Sequence, residues 1–171
     1  MSIYISSDHA GYELKNKLVD FLKKQEYEVT DCGPFHYTED DDYPDFVATV
    51  ARQVSENPTD CVGIVIGGSG QGEAIMANRF LNVRAVVFNG QYKPADGREV
   101  PDELLLTREH NNANVLSLGA WFLSEQEVQD AAKHWLATPF KEEERHLRRL
   151  RKIEALSPMN RSSAPVDPDL Q

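Results

Sequence analysis

The segment from residue 61 to residue 80 has the sequence CVGIVIGGSGQGEAIMANRF. Val62 to Ile66 is a continuous apolar run, which is typical of a central parallel strand covered on both faces. The strand is expected to end at the glycine loop, Gly67-Gly68-Ser69-Gly70-Gln71-Gly72, and a helix is predicted from Glu73 to Phe80. A buried strand that leads through a tight loop into a helix is the repeating unit of a parallel α/β sheet.

The same alternation of apolar runs and helical patterns extends along the chain. Four further strands are predicted at residues 3–5, 28–31, 84–88 and 114–118. Helices are predicted at residues 14–22, at 46–54 after a turn in which Asp45 acts as the cap, from a Ser124 cap to Leu136, and at 141–156. Strict alternation predicts one doubly wound α/β domain, residues 1–156, with about five parallel strands and helices on both faces. The tail, residues 157–171, is expected to be disordered or to lie on a partner subunit.

Composition and charge exclude several classes of protein. The 171 residues carry a net charge of -10, which argues against nucleic-acid binding because phosphate backbones demand a basic surface. The N-terminus lacks the features of a signal peptide, and no apolar run approaches the roughly 20 residues that span a membrane. Cys32 and Cys61 form no cluster with metal-ligand spacing, so they are expected to be reduced core thiols of a cytoplasmic protein.

The glycine loop presents backbone N–H groups at the start of a helix, which is a natural site for an anion. Gly67 and Gly72 have the spacing of a Walker A motif, but Glu73 occupies the position of its lysine and would repel a triphosphate. A dinucleotide fingerprint would begin at Gly68 and Gly70, yet its third glycine position also holds Glu73, and the loop follows the third strand instead of the first. A plain strand-to-helix turn with Glu73 as a first-turn acid stays open.

Further polar clusters accompany the predicted strands. Ligands of open α/β sheets bind beyond the carboxyl ends of the strands. Asp8-His9 follows the first strand, the glycine loop follows the third, and Arg108-Glu109-His110-Asn111-Asn112 precedes the fifth. We expect these three clusters near one edge of the sheet and Cys61, a core residue, at the opposite edge. Asp8, His9 and His110 are candidates for acid–base chemistry, although each alone is also typical of a hydrogen-bonded loop residue.

Two arginines of the last helix have a spacing that suits an anion. Arg145 and Arg149 are four residues apart and share one face of the helix. Arg149 has no acid three or four residues before it, so its charge is available to a phosphate or carboxylate from elsewhere in the fold. A solvated basic stripe is the alternative. Together, a carboxylate on an oxyanion-type loop, two histidines and paired arginines indicate proton transfer on a small anionic substrate.

Five motifs occur in the order found in a known family. They are Ser7-Asp8-His9-Ala10-Gly11, Asp42-Tyr43-Pro44-Asp45, the glycine loop with Glu73, Arg108-Glu109-His110-Asn111-Asn112, and Arg145-His146-x-x-Arg149. Over residues 2–156 the chain resembles ribose-5-phosphate isomerase B and its relatives, the galactose-6-phosphate isomerase subunits. The resemblance implies a Rossmann-like sandwich that interconverts aldose and ketose sugar phosphates through an enediolate, without a metal or other cofactor. It also implies a homodimer with shared active sites and leaves a tetramer open.

The resemblance implies a role for each matched residue. Many members have a cysteine base at the position of Gly67, whereas others resemble this chain and have a glutamate at the position of Glu73, which would move the proton between C1 and C2. Ser69 and the backbone N–H groups of Gly68 to Gly72 would stabilise the enediolate oxygen. The remaining candidates are Asp8 and His110 for ring opening, His9, Arg145 and Arg149 for phosphate, and Asp45, Gly70, Asn78 and Asn111 for the substrate, with His110 and Asn111 supplied by the partner subunit. Trp121, which departs from the family, is a further candidate for binding the substrate.

The acidity of Glu73 poses a problem for its role as the base. A helix N-terminus lowers the pKa of a carboxylate, whereas an effective base must not be too acidic. An apolar lid over Glu73 would compensate, because desolvation raises the pKa of a carboxyl group.

Two departures from the family bear on the substrate. The family often has a phosphate-binding arginine just after the fifth strand, where this chain has Trp121. About ten additional residues, around 91–102, are expected to form an ordered loop over the pocket, with Lys93 or Arg98 as a replacement for that charge. A larger or differently substituted sugar phosphate therefore stays open as the substrate. A non-catalytic sugar-phosphate sensor is the alternative outside the enzymes.

Overall fold

The computed structural model of the chain describes residues 1–157. The strands are β1 (Ser2–Ser7), β2 (Val29–Asp31), β3 (Cys61–Gly67), β4 (Ala85–Phe88) and β5 (Val115–Gly119). The helices are α1 (Tyr12–Lys24), α2 (Tyr43–Glu56), α3 (Gln71–Ala77), α4 (Glu103–Glu109), α5 (Glu125–Ala137) and α6 (Glu144–Leu156). The predicted tail lies, beyond Ser157, outside the described residues.

All five strands run parallel in one sheet with the order β2-β1-β3-β5-β4. β3 lies at the centre, and each of its residues is buried, as its continuous apolar run predicts. Ser7 pairs with Ile66, and Gly67 pairs with Gly119, so the loops after β1, β3 and β5 begin at the same edge of the sheet. The predicted doubly wound, Rossmann-like α/β fold is confirmed.

Side chains of a strand alternate between the two faces of the sheet. Because both faces carry apolar side chains, helices cover both of them. Ile3, Ile5 and Ile66 point into the core beneath α1 and α5. This core also contains Trp135. Val65 points into the other core, beneath α2 and α3. The glycine loop leads into α3, so the side chains of α3 belong to this second face.

Two helices begin at capping residues of the expected type, and one predicted cap is wrong. α5 begins at its predicted cap, Ser124, which forms a reciprocal capping box with Glu127. α4 is absent from the predicted elements; it begins after Asp102, whose Oδ1 accepts a hydrogen bond from Leu105 N at 2.9 Å. α2 begins at Tyr43, earlier than predicted, so Asp45 lies within the first turn and its prediction as the cap is wrong.

The inserted segment, residues 91–102, connects β4 to α4 without regular helix or strand. Gln91 joins its two ends, since Nε2 donates to Pro101 O at 3.0 Å and Oε1 accepts from Glu103 N at 2.8 Å. Arg98 pairs with Asp96 inside the segment at 2.6 Å. These contacts make the segment an ordered loop, as its composition predicts.

The position predicted for residues 108–112 is wrong. They precede β5 and therefore lie at the amino edge of the sheet, opposite the glycine loop. Asn112 O accepts from Arg84 Nε at 2.9 Å, and Arg84 directly precedes β4. In a parallel sheet the residues before a strand and those after it lie at opposite edges, so only the clusters after β1 and β3 share an edge.

Both cysteines are free thiols. Cys61 is buried at the start of β3, as predicted, and burial raises the pKa of its thiol. Cys32 is partly buried and packs against the core beneath α2 and α3, and desolvation raises its pKa to about 11. A raised pKa keeps a thiol protonated and makes it a poor nucleophile or base.

The chain divides into two compact units, Met1–Lys141 and a second unit that begins at Glu142 and contains α6. The boundaries predicted for a single domain, residues 1–156, stay a prediction. Within residues 1–157, no helix has both the length and the apolar character needed to cross a membrane.

Candidate active site

Glu73 lies in the first turn of α3, and its carboxyl group lies over the end of β3. The residue is buried, with 3% of its surface exposed. A Cβ added at Gly67 would overlap the carboxyl group, because it would lie 2.7 Å from Oε2 and closer still to Oε1 and Cδ. The carboxylate therefore occupies the space that a side chain at position 67 would fill.

Burial raises the pKa of Glu73 above the ordinary value of a glutamate. A hydrogen bond from its own backbone N–H lowers the pKa, and the charge of Asp8 raises it again. Desolvation is the largest of these effects and outweighs the hydrogen bond from the backbone N–H, which is one of the free donors at the start of the helix. Glu73 is thus a stronger proton acceptor than an exposed glutamate.

Asp8 is fixed at the end of β1, close enough to Glu73 for their charges to interact. Its Oδ1 accepts a hydrogen bond from Gly11 N at 3.0 Å, and its own N–H donates to Ile66 O at 3.3 Å. A Cβ at Gly11 would overlap the carbonyl group of Ile66, 2.7 Å from its carbon. Glycine at position 11 therefore lets the start of α1 approach β3, which places Asp8 at the site.

Side chains from β5 and from the residue after β4 hold the glycine loop. Asn89 Nδ2 donates to Ser69 O at 3.0 Å, and Ser117 Oγ donates to Gly70 O at 2.6 Å. Gly70 has a φ of 75°, in the left-handed region that favours glycine. Within residues 1–157, no acceptor is found for the backbone N–H groups of Gly68, Ser69 and Gly70. These three donors are available to an anionic ligand.

His9 is held by Asp41, a residue of the loop between β2 and α2. Asp41 Oδ1 accepts from the backbone N–H of His9 and contacts its ring Nδ1, both at 2.8 Å. The hydrogen bond to Asp41 raises the pKa of His9, burial lowers it, and the charges of Asp8 and Asp41 raise it further. His9 consequently becomes a cation more readily than an ordinary histidine, which suits a phosphate ligand.

Two aromatic side chains border the glycine loop. A Cβ at Gly72 would lie 2.8 Å from Tyr43 Cζ, and one at Gly68 would lie 2.6 Å from Trp121 Cζ2. The backbone N–H of Trp121 donates to Gly68 O at 3.0 Å, which fixes the residue beside the loop. Trp121 is 73% exposed, so most of its indole is available to a ligand.

The inserted segment borders a groove of about 820 Å³ between β4, α4 and α5. Leu104 and Leu123 line the groove and belong to the core on the α5 face, whereas Glu73 lies on the α3 face. Lys93 lies in this groove near Glu127, and Arg98 pairs with Asp96. Both inserted cations therefore have acidic neighbours, Glu127 for Lys93 and Asp96 for Arg98.

Several predicted site residues lie away from the glycine loop in this chain. His110 ends α4 at the amino edge of the sheet, and Asn111 follows it. Asn78 holds the start of β4, since its Oδ1 accepts from Ala85 N at 2.8 Å and its Nδ2 donates to Ala85 O at 3.0 Å. Asp45 is exposed in the first turn of α2. Asn78 therefore has a structural position at the start of β4, whereas Asp45 lies two residues after Tyr43, which borders Gly72.

Arg145 and Arg149 both lie on α6, in the second compact unit. Nε of Arg145 pairs with Glu143 at 2.8 Å. Arg149 is exposed, and no ion pair to it is found in the described part of the chain. The charge of Arg149 is therefore available to an anion, as its helical spacing predicts.

Asp41, Tyr43 and Asn89 lie at the site but are not among the site residues predicted from the sequence. Tyr43 belongs to a motif that was recognised, and Asn89 directly follows β4, where ligand contacts are expected. The sequence therefore contains a signal that could have identified both residues. Asp41 is one of four consecutive acids, residues 39–42, and nothing in its local sequence distinguishes it from the others.

Comparison with known proteins places this arrangement in a family. Residues 3–153 match the family model described as Ribose/Galactose Isomerase. Ribose-5-phosphate isomerase B of Mycobacterium leprae is 36% identical over 172 residues, which cover 100% of this chain and 98% of that protein.

Solved structures agree with the family model. Ribose-5-phosphate isomerase B of Clostridium thermocellum is 41% identical, with a TM-score of 0.78 over 90% of this chain and 95% of that one. The enzyme of that name from Mycoplasma genitalium, with bound ribulose-5-phosphate, is 35% identical, with a TM-score of 0.79 over 90% and 93% of the two chains. The chain therefore belongs to the ribose/galactose isomerase family.

Proposed function

We propose that this protein interconverts an aldose phosphate and a ketose phosphate through an enediolate, with Glu73 as the base. Sugar-phosphate isomerase activity follows from its family, whose similar members are named ribose-5-phosphate isomerase B. The Mycoplasma genitalium structure holds ribulose-5-phosphate, a ketose phosphate. A pentose phosphate is therefore the first substrate to test.

The overlap between the Glu73 carboxylate and the space of a side chain at position 67 carries the assignment of the base. Many family members have a cysteine base at that position, so the carboxylate occupies the corresponding volume. The raised pKa of Glu73 supports the role, because burial makes this carboxylate a better acceptor for a carbon-bound proton. Cys61, at the opposite edge of the sheet, is excluded by its position.

The proposed reaction moves one proton between C1 and C2 and another between the oxygens of these carbons. Glu73 removes the carbon-bound proton, leaves an enediolate, and returns the proton to the neighbouring carbon. The free N–H groups of Gly68, Ser69 and Gly70 stabilise the enediolate oxygen, with the Ser69 hydroxyl beside them. Asp8 assists ring opening together with His110.

A partner subunit is part of this proposal. Within one chain, Glu73 lies at the carboxyl edge of the sheet, whereas His110 and Asn111 lie at the amino edge. One subunit therefore does not supply both groups to one site. A homodimer whose partners exchange these residues would complete two sites.

Isotope exchange with a panel of pentose and hexose phosphates tests the function. In deuterated water, an isomerase incorporates solvent deuterium at C1 or C2 of its preferred sugar, because the base exchanges its proton with solvent. A protein that binds one of these sugars but neither exchanges nor converts it would be a sensor, and the proposal would be abandoned.

Arg149 is proposed to bind the substrate phosphate together with His9 and Arg145. Arg149→Ala is expected to weaken the binding of a phosphorylated ligand about ten- to a hundredfold, the usual worth of a charged hydrogen bond. The melting temperature of the Arg149→Ala protein should hardly change, since no ion pair to Arg149 is found in residues 1–157. Arg148→Ala, the exposed neighbour on α6, is the control for charge. A large loss of stability with unchanged affinity would make Arg149 a structural residue.

Trp121 is proposed to set the choice of sugar. In place of an arginine it offers a broad apolar face and one N–H donor beside Gly68. The wild type is expected to bind ribose 5-phosphate about ten- to a hundredfold less tightly than relatives with the arginine. It should prefer a substrate with an additional group that reaches the indole.

Trp121→Arg is expected to raise kcat/KM for ribose 5-phosphate relative to hexose phosphates. Because Lys93 and Arg98 of the inserted segment already have acidic neighbours, the single substitution should suffice. Phe122→Arg adds the same charge at the neighbouring exposed position and should leave the ratio nearly unchanged. The idea is lost if the wild type already prefers ribose 5-phosphate and Trp121→Arg does not alter the ratio.

A further inference from the structure

The pair formed by His9 and Asp41 has an asymmetric geometry. Asp41 Oδ1 contacts two nitrogen atoms of His9, the backbone N and the ring Nδ1, both at 2.8 Å. The Asp41 side chain is 7% exposed, whereas that of His9 is 36% exposed. Asp41 Oδ2 is buried and has no hydrogen-bond partner in the described residues. The carboxylate is thus largely withdrawn from water, and His9 is the group that connects it to the exposed side.

A buried carboxylate is costly unless a cation compensates its charge. His9 is the group in contact that carries a compensating charge when it is protonated, since its ring nitrogen lies within ion-pair distance of Asp41. When Nδ1–H donates to Asp41, the other ring nitrogen, Nε2, is left for a ligand. Protonation of Nε2 then supplies both the positive charge and a second N–H donor, the combination that a phosphate oxygen accepts best.

We propose that Asp41 is a positioning residue, which orients His9 through Nδ1–H and keeps its ring cationic so that Nε2–H binds the phosphate of the substrate. The inference rests on the proposed function, in which His9 is a phosphate ligand. It goes further by assigning to a residue of the β2–α2 loop the control of that ligand's charge. Asp8 and Asp41 are the charged groups that act on His9, and both favour its protonated form.

A purely structural role for Asp41 is the competing interpretation. The bond to the backbone N–H of His9 ties the β2–α2 loop to the end of β1 whatever the charge of the ring. Asp41→Asn separates the two roles, because the amide oxygen still accepts a hydrogen bond while the negative charge is lost. Asp40→Asn, at the exposed neighbouring position, makes the same change of charge and is the matched control.

The first measurement is the titration of the His9 ring by NMR. Asp41→Asn is expected to lower the pKa of His9 by about one unit or more, since it removes the negative charge that favours the imidazolium. Asp40→Asn should leave that pKa close to its wild-type value. An unchanged pKa of His9 in Asp41→Asn overturns the inference.

The second measurement is the affinity for inorganic sulfate, which keeps two negative charges throughout the range used. At about pH 8 Asp41→Asn should bind sulfate up to about tenfold more weakly than the wild type, whereas at about pH 5 the two should agree, because His9 is protonated in both. In a His9→Gln background the effect of Asp41→Asn should vanish. Equal sulfate affinity of Asp41→Asn and wild type at about pH 8 would also overturn the inference.

Neither measurement depends on turnover, so a failure of the proposed isomerase activity would be recognised separately. If Asp41→Asn does not fold, the wild type and His9→Gln still decide. Sulfate affinity of the wild type should fall as the pH rises through the pKa of His9, and His9→Gln should lack this dependence. An identical pH dependence in both proteins would rule out control of the ligand through His9.

Discussion

Glu73→Gln is expected to lower kcat by at least about 100-fold, the lower range of what a positioned general base contributes. Glutamine keeps the size and hydrogen-bonding capacity of the side chain but has no proton acceptor of comparable strength. Solvent-deuterium exchange into C1 or C2 of the sugar should fall in parallel, since both processes require removal of the same proton. The measurement is kcat together with the exchange rate on the preferred sugar phosphate.

Cys61→Ala is the control for the assignment of the base. The thiol is buried at the amino edge of the sheet, and its pKa is raised, so its loss should hardly change turnover. A dead Cys61→Ala protein beside an active Glu73→Gln protein would show that the base is assigned to the wrong residue.

Thermal stability shows independently whether Glu73→Gln is folded. The pKa of Glu73 is raised in the folded state, so the folded chain binds this proton more tightly than the unfolded chain. Stability therefore falls as the pH rises from the unfolded pKa of about 4.3 through the folded pKa. Glutamine lacks this loss, so the variant should melt at a higher temperature than the wild type at neutral pH. The difference should shrink as the pH falls to about 4.

The central elements of the fold are predictable because each has a local signal. β3 is an uninterrupted apolar run, and Ser124 with Glu127 forms a capping box that can be read from the residues alone. α4 is harder to predict because a helix of seven residues, Glu103–Glu109, is too short to show a clear helical period. Its one local signal is Asp102 before three leucines, which resembles a cap but is equally typical of a turn.

The residues of the candidate site also differ in how far the sequence predicts them. Asp8 and Glu73 are found by one topological rule, because each follows a strand that ends at the carboxyl edge. The same rule excludes His110 from that edge, since residues 108–112 precede β5, and the prediction failed where this distinction was missed. Asp41 contacts His9 across 32 positions of sequence. A contact of this kind depends on the path of the whole β2–α2 loop, which no local pattern specifies.

Because Glu73 and His110 lie at opposite edges of the sheet, two inactive variants are expected to regain activity when they exchange subunits. Glu73→Gln and His110→Ala are each expected to be nearly inactive as homodimers. In a heterodimer of the two, one site combines Glu73 of one subunit with His110 of the other and is intact, while the other site lacks both groups. With random exchange half of the dimers are mixed, so about one quarter of the wild-type activity should return.

A second mixture shows whether the recovery arises from shared sites. Asp8 and Glu73 lie at the same edge of one chain and within reach of each other's charge, so they belong to the same site whatever the partner supplies. Mixing Glu73→Gln with Asp8→Asn under the same conditions should therefore restore nothing, because each site of the heterodimer lacks one of the two carboxylates. Native mass spectrometry establishes that the subunits have exchanged in both mixtures. If exchange is complete and the mixture of Glu73→Gln and His110→Ala stays inactive, His110 does not complete the site of a partner. The ring-opening role would then pass to a group at the carboxyl edge, where Asp8 already stands beside the base.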